Sequence, residues 1–297
     1  MLIREKIETA RLTDAESALA RFILEKGSDI ENLTAREIAF QAGTVPSLLS
    51  RFSKKLGYEG WNSFKKEWIK ESDYLLKSGR EIDANLPFHP EDALKEVSVK
   101  LSLLLEQSIK DTQNLLDFQN LQRAVEILDN AHHIYCLGVA NNVYLLESFA
   151  SSLRKIGKHA ILCPVQGEFQ FSLSTAREND CILAVSYSGN TPVVLEALQS
   201  NPLKGKMPVV LLTSLGSNSI RPYADVVLEI STREKLYSKI ASFNTEASIS
   251  YLLNLLYSCL FQQNPSKNYD YRVSLARSIE IRRKSDVKIL SEEIDED

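Results

Sequence analysis

Residues 186–191 of this 297-residue chain read SYSGNT, and they place hydroxyl groups and a glycine between an apolar run and a helical pattern. A turn that leaves a buried strand and enters a helix exposes backbone N–H groups at the helix N-terminus, where an anion is stabilised. The hydroxyls of Ser186, Ser188 and Thr191, with the N–H groups around Gly189, can surround a phosphate without any lysine. The same residue types are good helix caps, so an ordinary capped helix is the alternative.

Five short apolar runs supply the strands expected around this turn. They lie at 134–138, 159–164, 181–186, 208–214 and 226–230. The helical patterns between and after them lie at 141–156, about 167–177, 191–200 and about 240–262. This alternation predicts a five-stranded parallel sheet covered on both faces, a three-layer α/β fold of flavodoxin-like type. Because such a sheet binds its ligand at the carboxyl ends of the strands, the turns at 138–142, 186–191 and 214–219 are the candidate ligand loops.

A second pattern that could carry function lies at 33–57, which has helix-turn-helix form. Thr34 is the predicted N-cap of the first helix and Gly43 supplies the tight turn. Pro46 lies in the first turn of the second helix, where its missing N–H costs nothing. The inward-facing residues of the second helix are predicted to be Leu49, Phe52 and Leu56. The outer surface fits a DNA major groove. The predicted DNA-contacting residues are Thr34, Ser47, Leu48, Ser50, Arg51, Lys54 and Lys55.

Charge supports DNA binding only locally. Residues 51–70 contain six basic residues against Glu59 and Glu67, whereas the whole chain has a net charge of −4. A protein without an overall basic field needs a local patch of this kind to bind nucleic acid. Helix-turn-helix shapes are also common packing units, so a solvated helical bundle used for protein contacts is the alternative.

The chain divides into four predicted segments. Residues 1–77 form an all-α head, 78–90 a linker with glycine and two prolines, 91–265 the α/β body with its leading helices, and 266–297 a charged tail. A long amphipathic helix is expected to run from 91 to about 116. Its predicted apolar face consists of Leu94, Val97, Leu101, Leu104, Leu105 and Ile109.

Composition argues against several other classes of protein. The four cysteines are scattered without a CxxC pair, so we expect reduced core thiols and neither a metal site nor a cofactor. The N-terminus has no apolar core of signal-peptide length, and no run approaches the 18 or so apolar residues that a membrane helix needs. The expected location is therefore cytoplasmic, with no membrane partner.

The head resembles the N-terminal domain of RpiR-type transcriptional regulators. The segment at 36–65 reads REIAFQAGTVPSLLSRFSKKLGYEGWNSFK, and the family's pattern is LAxxAGVSxxTVxRFxxKLGxxGFxxFK; the RF, KLG, G-aromatic and FK elements match nearly position for position. The segment LTDAESALARFILEK at 12–26 matches the family's first signature. The resemblance implies DNA binding. Val45 stands where the family has a capping serine and Leu48 where it has a threonine, so the base preference can differ from that of relatives.

The body, at 134–262, resembles the SIS (sugar isomerase) domain, a phosphosugar-binding module whose SYSGxT loop is intact here. In that family the first loop is usually GxGxS, with its serine on the sugar. Here it has Ala140 for the second glycine and Asn142 for the serine, which implies a narrower pocket that still offers a donor and an acceptor. The expected ligand-binding residues are Ser186, Ser188, Gly189, Asn190, Thr191, Asn142 and Glu246.

A helix-turn-helix head joined to a SIS body is the architecture of RpiR-type regulators. The resemblance implies a DNA-binding regulator of sugar metabolism, with a double-stranded DNA operator, a phosphorylated sugar effector and a homodimeric or homotetrameric assembly. We expect no catalytic residue. One alternative is a phosphosugar isomerase or lyase, for which Glu168, Glu246 and His159 are the candidate bases. The other is a regulator whose degenerate SIS domain senses nothing.

Overall fold

The computed structural model of the protein describes residues 2–78, 82–163, 168–280 and 289. Residues 2–78 form a helical bundle. Its elements are α1 (Ile3–Thr9), α2 (Asp14–Lys26), a 3-10 helix (Gly27–Asn32), α3 (Ala35–Gln41), α4 (Pro46–Lys55) and α5 (Trp61–Ser78). The predicted all-α head is therefore confirmed over these residues.

Local sequence signals fix the helix starts in the head. Thr34 caps α3 by accepting a hydrogen bond from Glu37 N over 3.3 Å, and Glu37 accepts from Thr34 N in return over 2.7 Å, which satisfies two free donors at once. Gly43 adopts a φ of 65° in the turn between α3 and α4. Pro46 then opens α4. The predicted cap, turn and helix start are all confirmed.

The head has its own hydrophobic core. The largest fully buried side chains in it are Leu19, Ile23, Ile30, Ile38, Leu49, Phe52, Phe64 and Trp68. Phe52 of α4 packs edge-on against Phe64 of α5, with 5.7 Å between ring centroids. Such aromatic pairs add to the stabilisation from burial, so the packing fixes α4 firmly on α5.

The body is a three-layer α/β unit around one parallel sheet. Its strands are β1 (His133–Leu137), β2 (His159–Leu162), β3 (Cys181–Ser186), β4 (Val209–Ser214) and β5 (Val226–Ile230). They lie in the order β2-β1-β3-β4-β5, and every neighbouring pair is parallel. The predicted five-stranded parallel sheet is confirmed, with β3 at its centre.

Helices cover both faces of the sheet. The helices of the body are α6 (Leu94–Leu115), α7 (Phe118–Asn130), α8 (Asn141–Arg154), α9 (Phe169–Ser174), α10 (Pro192–Gln199), α11 (Phe243–Gln263) and α12 (Pro265–Ile279), with a second 3-10 helix at Arg221–Tyr223. Residues of α7, α8 and α11 pack on one face, around Leu183 and Leu212. Residues of α9 and α10 pack on the other, around Ile182 and Leu211.

The predicted apolar face of the long helix α6 is confirmed only in part. Of the six residues expected there, Leu104 is buried and three are half-buried, whereas Leu94 and Ile109 are 90% and 40% exposed. Beyond Leu104 the buried face continues through Ser108, Thr112 and Leu115. The two hydroxyls on that face donate to backbone carbonyls of their own helix, at Leu104 and Ser108, so they enter the core without an unsatisfied donor.

Residues 82–90, in the predicted linker, contain neither helix nor strand and lie against the body. Asn85 accepts a hydrogen bond from Ile240 N and another from Lys235 N, and Phe88 contacts Phe243. Residues 79–81 and most of the predicted tail beyond Glu280 lie outside the described residues. None of the helices in the described ranges is long and apolar enough to cross a membrane.

Candidate functional site

The segment at 186–191, here called the serine loop, leaves the buried central strand β3 and enters α10. Ser186 ends the strand with 1% of its surface exposed. Its hydroxyl lies 2.7 Å from the hydroxyl of Thr191, the N-cap residue of α10. Pro192 opens the helix, where a residue without an N–H suits the first position. The predicted strand-turn-helix is confirmed, and it brings two of the three predicted hydroxyls together.

The middle of the serine loop is a compact turn. Ser188 Oγ accepts a hydrogen bond from Asn190 N over 3.2 Å, and Asn190 Nδ2 donates to Ser188 O over 2.9 Å. Gly189 between them has a φ of 61°, and a Cβ there would lie 1.9 Å from Asn218 Cγ. Both the backbone conformation and the space therefore require glycine at this position.

The loop that follows β4, residues 215–220, supports the serine loop and is here called the third loop. Ser219 N donates to Asn190 Oδ1 over 3.0 Å, and Ile220 N donates to Gly189 O over 2.9 Å. Asn218 packs on Gly189 and donates from Nδ2 to Thr213 Oγ1. The sequence predicts this loop at the site but carries no signal for Asn218, because the role of Asn218 depends on contact with a loop far away in the chain.

The first loop, residues 138–142, leads into α8, and the first residue of α8 forms a polar pair with the first turn of α11. Asn141 opens α8 and donates from Nδ2 to Glu246 Oε1 over 2.7 Å, and Glu246 lies in the first turn of α11. Asn142, the predicted ligand residue, is half-buried beside Asn141. Since β1 and β3 are neighbours, this pair lies at the same edge of the sheet as the serine loop. Asn141 is a further candidate that sequence reasoning missed.

Ala140, in the first loop, adopts a backbone conformation that favours glycine. Its φ is 51° and its ψ is −131°, and it is the one non-glycine residue with a positive φ in the described chain. Such a conformation costs an alanine about 1–3 kcal/mol, and a glycine about nothing. The strain lies at the position where the SIS domain usually has glycine.

Replacing Ala140 by glycine is expected to stabilise the protein. Relief of strain exceeds the 0.4–1 kcal/mol or so that glycine gains in unfolded-state entropy, for a net gain of about 1 kcal/mol and a rise of about 2–4 °C in Tm. Ala131→Gly is the matched control, since Ala131 has an ordinary φ of −72° and the change should lower Tm. Equal losses in the two variants by thermal denaturation would contradict strain at Ala140.

The outer surface of α4 carries most of the predicted DNA-contacting residues. Ser47, Ser50, Arg51 and Lys54 are exposed on it. Lys55 is also exposed but donates to Glu16 Oε2 over 2.6 Å, and this contact is the main reason that the pKa of Glu16 is lowered. The ion pair engages Lys55 within the head. Thr34 is exposed, with its hydroxyl capping α3.

The prediction that Leu48 lies on the outer surface is wrong. Leu48 is 6% exposed and packs in the core of the head. Leu48 lies one helical turn before Phe52 on α4, so the two side chains share the inward face of the helix. The exposed apolar residues near this surface are instead Phe40, at 85%, and Val45, at 55%. Neither residue is among those predicted for the surface from the sequence.

Two family models match the chain, and each covers one of these regions. The helix-turn-helix domain of the rpiR family matches residues 1–73, which include α3 and α4. The SIS domain matches residues 127–258, which include the whole sheet and the serine loop. The chain belongs to the RpiR family. The head is its helix-turn-helix domain, and the body is a SIS domain, as the sequence resemblance implied.

Solved structures share this fold. The NanR protein of Vibrio vulnificus, complexed with ManNAc-6P, is 22% identical over 95% of this chain and 100% of its own, with a TM-score of 0.59. The sugar isomerase domain of an RpiR transcription factor from Sphaerobacter thermophilus is 18% identical over 61% of this chain and 98% of its own, with a TM-score of 0.54. A putative sugar-phosphate isomerase from Listeria monocytogenes is 14% identical over 63% of this chain and 98% of its own, with a TM-score of 0.54.

The chain therefore contains two candidate sites, one in each domain. One site is a helix-turn-helix surface, and the other is a set of loops at the carboxyl edge of a SIS sheet. The isomerase among the similar structures means that the SIS fold alone does not distinguish sensing from catalysis.

Proposed function

We propose that this RpiR-family protein is a DNA-binding regulator of sugar metabolism that senses a phosphorylated sugar through its serine loop. The observation that carries the proposal is the path of Ser186, Ser188 and Thr191 from a buried central strand into the N-terminus of α10. That end of a helix carries a partial positive charge and free N–H groups, so it stabilises a phosphate. The NanR protein, which was solved with ManNAc-6P, supports the same ligand class.

The polar groups at the first loop favour a sugar beside that phosphate. Glu246 is half-buried and shares a hydrogen bond with Asn141, which leaves its remaining acceptor capacity for hydroxyl or amine donors. Asn142 adds an amide at the same edge of the sheet. We propose that these residues bind the sugar ring while the serine loop binds its phosphate.

We propose sensing rather than catalysis. An aldose–ketose isomerase needs a base beside the sugar and a second group for ring opening. His159 begins β2, so it lies at the amino end of the strands, away from the serine loop at their carboxyl ends. That placement removes His159 from the candidate bases. The helix-turn-helix domain on the same chain gives the site a regulatory use that an isomerase does not require.

We further propose that the protein acts as a homodimer or homotetramer on a double-stranded DNA operator. The outer surface of α4, with Arg51 and Lys54, would lie in the major groove. Two heads would then contact half-sites about one DNA turn, or roughly 34 Å, apart. Sugar phosphate would shift the equilibrium between two arrangements of the assembly, for which it has different affinities.

A thermal-shift screen tests the ligand class directly. We expect one member of a set of hexose, pentose and amino-sugar phosphates to raise Tm, and its unphosphorylated parent to leave Tm unchanged. At 100 times its Kd a ligand stabilises the folded state by about 2.7 kcal/mol, a readily measured effect. A shift with the parent sugar alone would contradict phosphate recognition by the serine loop. No shift with any sugar would favour a SIS domain that no longer senses.

A further inference from the structure

The third loop links the serine loop to Arg221 through hydrogen bonds. Besides its contacts with Gly189 and Asn190, this loop ends in a hydrogen bond from Arg221 N to Asn218 Oδ1, over 3.0 Å. Asn218 is also the side chain that fills the space beside Gly189. A movement of the backbone at Gly189 would therefore displace Asn218, and through Asn218 it would displace Arg221.

The side chain of Arg221 pairs with Glu229 of β5. Its guanidinium donates to Glu229 Oε1 over 2.8 Å and to Ser214 O over 3.2 Å. The side chain of Glu229 is 6% exposed, and that of Arg221 is 28% exposed. A carboxylate buried to this degree is stable only with its partners in place, so its geometry is closely fixed.

The second partner of Glu229 belongs to the head. Lys70, on α5, forms an ion pair with Glu229 Oε2. One turn further along α5, the hydroxyl of Tyr74 accepts a hydrogen bond from Thr232 N over 2.5 Å, just beyond the end of β5. Burial raises the pKa of Tyr74 to about 12, so the phenol keeps its proton at neutral pH. The helix that supports α4 is therefore held on the strand end next to the third loop.

We infer that Glu229 is a positioning residue that couples the serine loop to the helix-turn-helix head, through Arg221 on one side and Lys70 on the other. The inference rests on the proposed phosphate site. Phosphate in the serine loop would restrain Gly189 and Asn190, and hence the third loop and Arg221. The pair with Glu229 would then hold Lys70 and α5 more firmly on the body. Sugar phosphate would thus change the arrangement of the heads without contacting them.

Hydrogen exchange on the full chain tests the coupling with inorganic phosphate as the probe. Exchange is compared in saturating phosphate and in chloride of equal ionic strength. In the wild type we expect slower exchange in the serine loop and, through the coupling, in α5. The α5 effect should be at least about fivefold, the lower end of usual coupling between sites. Lys70→Met should abolish the response of α5 and leave that of the serine loop.

Lys66 provides the matched control. It lies one turn before Lys70 on α5 and also pairs with the body, through Asp117 Oδ2 at 3.3 Å. Asp117 caps α7 and takes no part in the contacts of the third loop described above. Lys66→Met should therefore keep the phosphate response of α5, and Lys70→Arg should restore it. Trp61 and Trp68, the two tryptophans of the chain, are on α5, so their fluorescence reports whether the head stays folded.

The possible failures of the two proposals can be told apart. Protection of the serine loop without any change in α5 of the wild type would overturn the coupling and leave the phosphate site in place. An equal loss of the α5 response in the Lys66→Met and Lys70→Met variants would also overturn the role of Glu229. No protection of the serine loop in the wild type would overturn the proposed phosphate site, and the coupling with it.

Discussion

The double variant Ser188→Ala/Thr191→Ala is expected to lose its response to sugar phosphate and to keep its affinity for DNA in the absence of ligand. Both hydroxyls lie at the start of α10, where the phosphate is proposed to bind. A hydrogen bond to a charged group contributes about 1.5–3 kcal/mol, so removing two weakens binding by about 100-fold or more. The head has its own hydrophobic core, which includes neither Ser188 nor Thr191.

Isothermal titration with the phosphosugar from the thermal-shift screen measures the first effect, and binding to mixed-sequence duplex DNA measures the second. Truncating Thr191 also leaves the buried hydroxyl of Ser186 unpaired, which costs about 1–3 kcal/mol, so Tm must be measured as well. Ser200→Ala, at the other end of α10, is the matched control. Wild-type phosphosugar affinity in the double variant would move the site elsewhere. Loss of both activities would indicate misfolding.

The strands of the body could be predicted closely from the sequence because their environment leaves a simple signal. A parallel strand covered on both faces is a short, nearly continuous apolar run, and the six residues of β3 are all buried. The run predicted at 181–186 is the observed strand Cys181–Ser186. Once the strands were known, the carboxyl edge of the sheet and its loops followed, and with them the serine loop.

Helix faces were harder to predict. Periodicity shows which side of a helix is apolar, but it does not show how far along the helix the packing partners extend. Leu94 and Leu104 both fit the apolar stripe of α6, yet Leu94 is 90% exposed and Leu104 is fully buried. The packing of α11 and β5 on α6 decides the difference, and no local pattern contains it. Leu48 was misplaced for a related reason, since Leu48 and Leu49 precede Phe52 by four and three residues, and tertiary packing buries both of them with it.

The residues that support the site were missed because they act across the chain. Asn141 meets Glu246 over a separation of 105 residues, and Ser219 meets Asn190 over 29. A single sequence gives no signal for such pairs. The strained backbone of Ala140 was likewise unreadable, although the comparison with the glycine of the SIS loop had marked the position as unusual.

Replacing Arg51 and Lys54 together by alanine is expected to weaken DNA binding and to flatten its salt dependence. Both side chains are exposed on the outer surface of α4, so their charges are available to phosphates. Each lost phosphate contact reduces the magnitude of the negative slope of log K against log salt concentration by about 0.9. Loss of both contacts should therefore reduce that magnitude by about 1.8. Titrations with mixed-sequence duplex DNA at several salt concentrations measure the slope without knowledge of the operator.

Lys55→Ala tests whether an exposed lysine that already forms an ion pair is still available to DNA phosphates. Lys55 suits this test because it is next to Lys54 and carries the same charge. Its ammonium is held by Glu16, a carboxylate that also completes the capping box of α2. The variant should therefore lower Tm slightly, because the ion pair is lost, and should leave the salt slope unchanged. A slope reduced by about 0.9 would mean that Lys55 exchanges Glu16 for a DNA phosphate, which would add it to the contact surface. An unchanged slope for Arg51→Ala/Lys54→Ala would instead place the DNA contacts on another surface of the head.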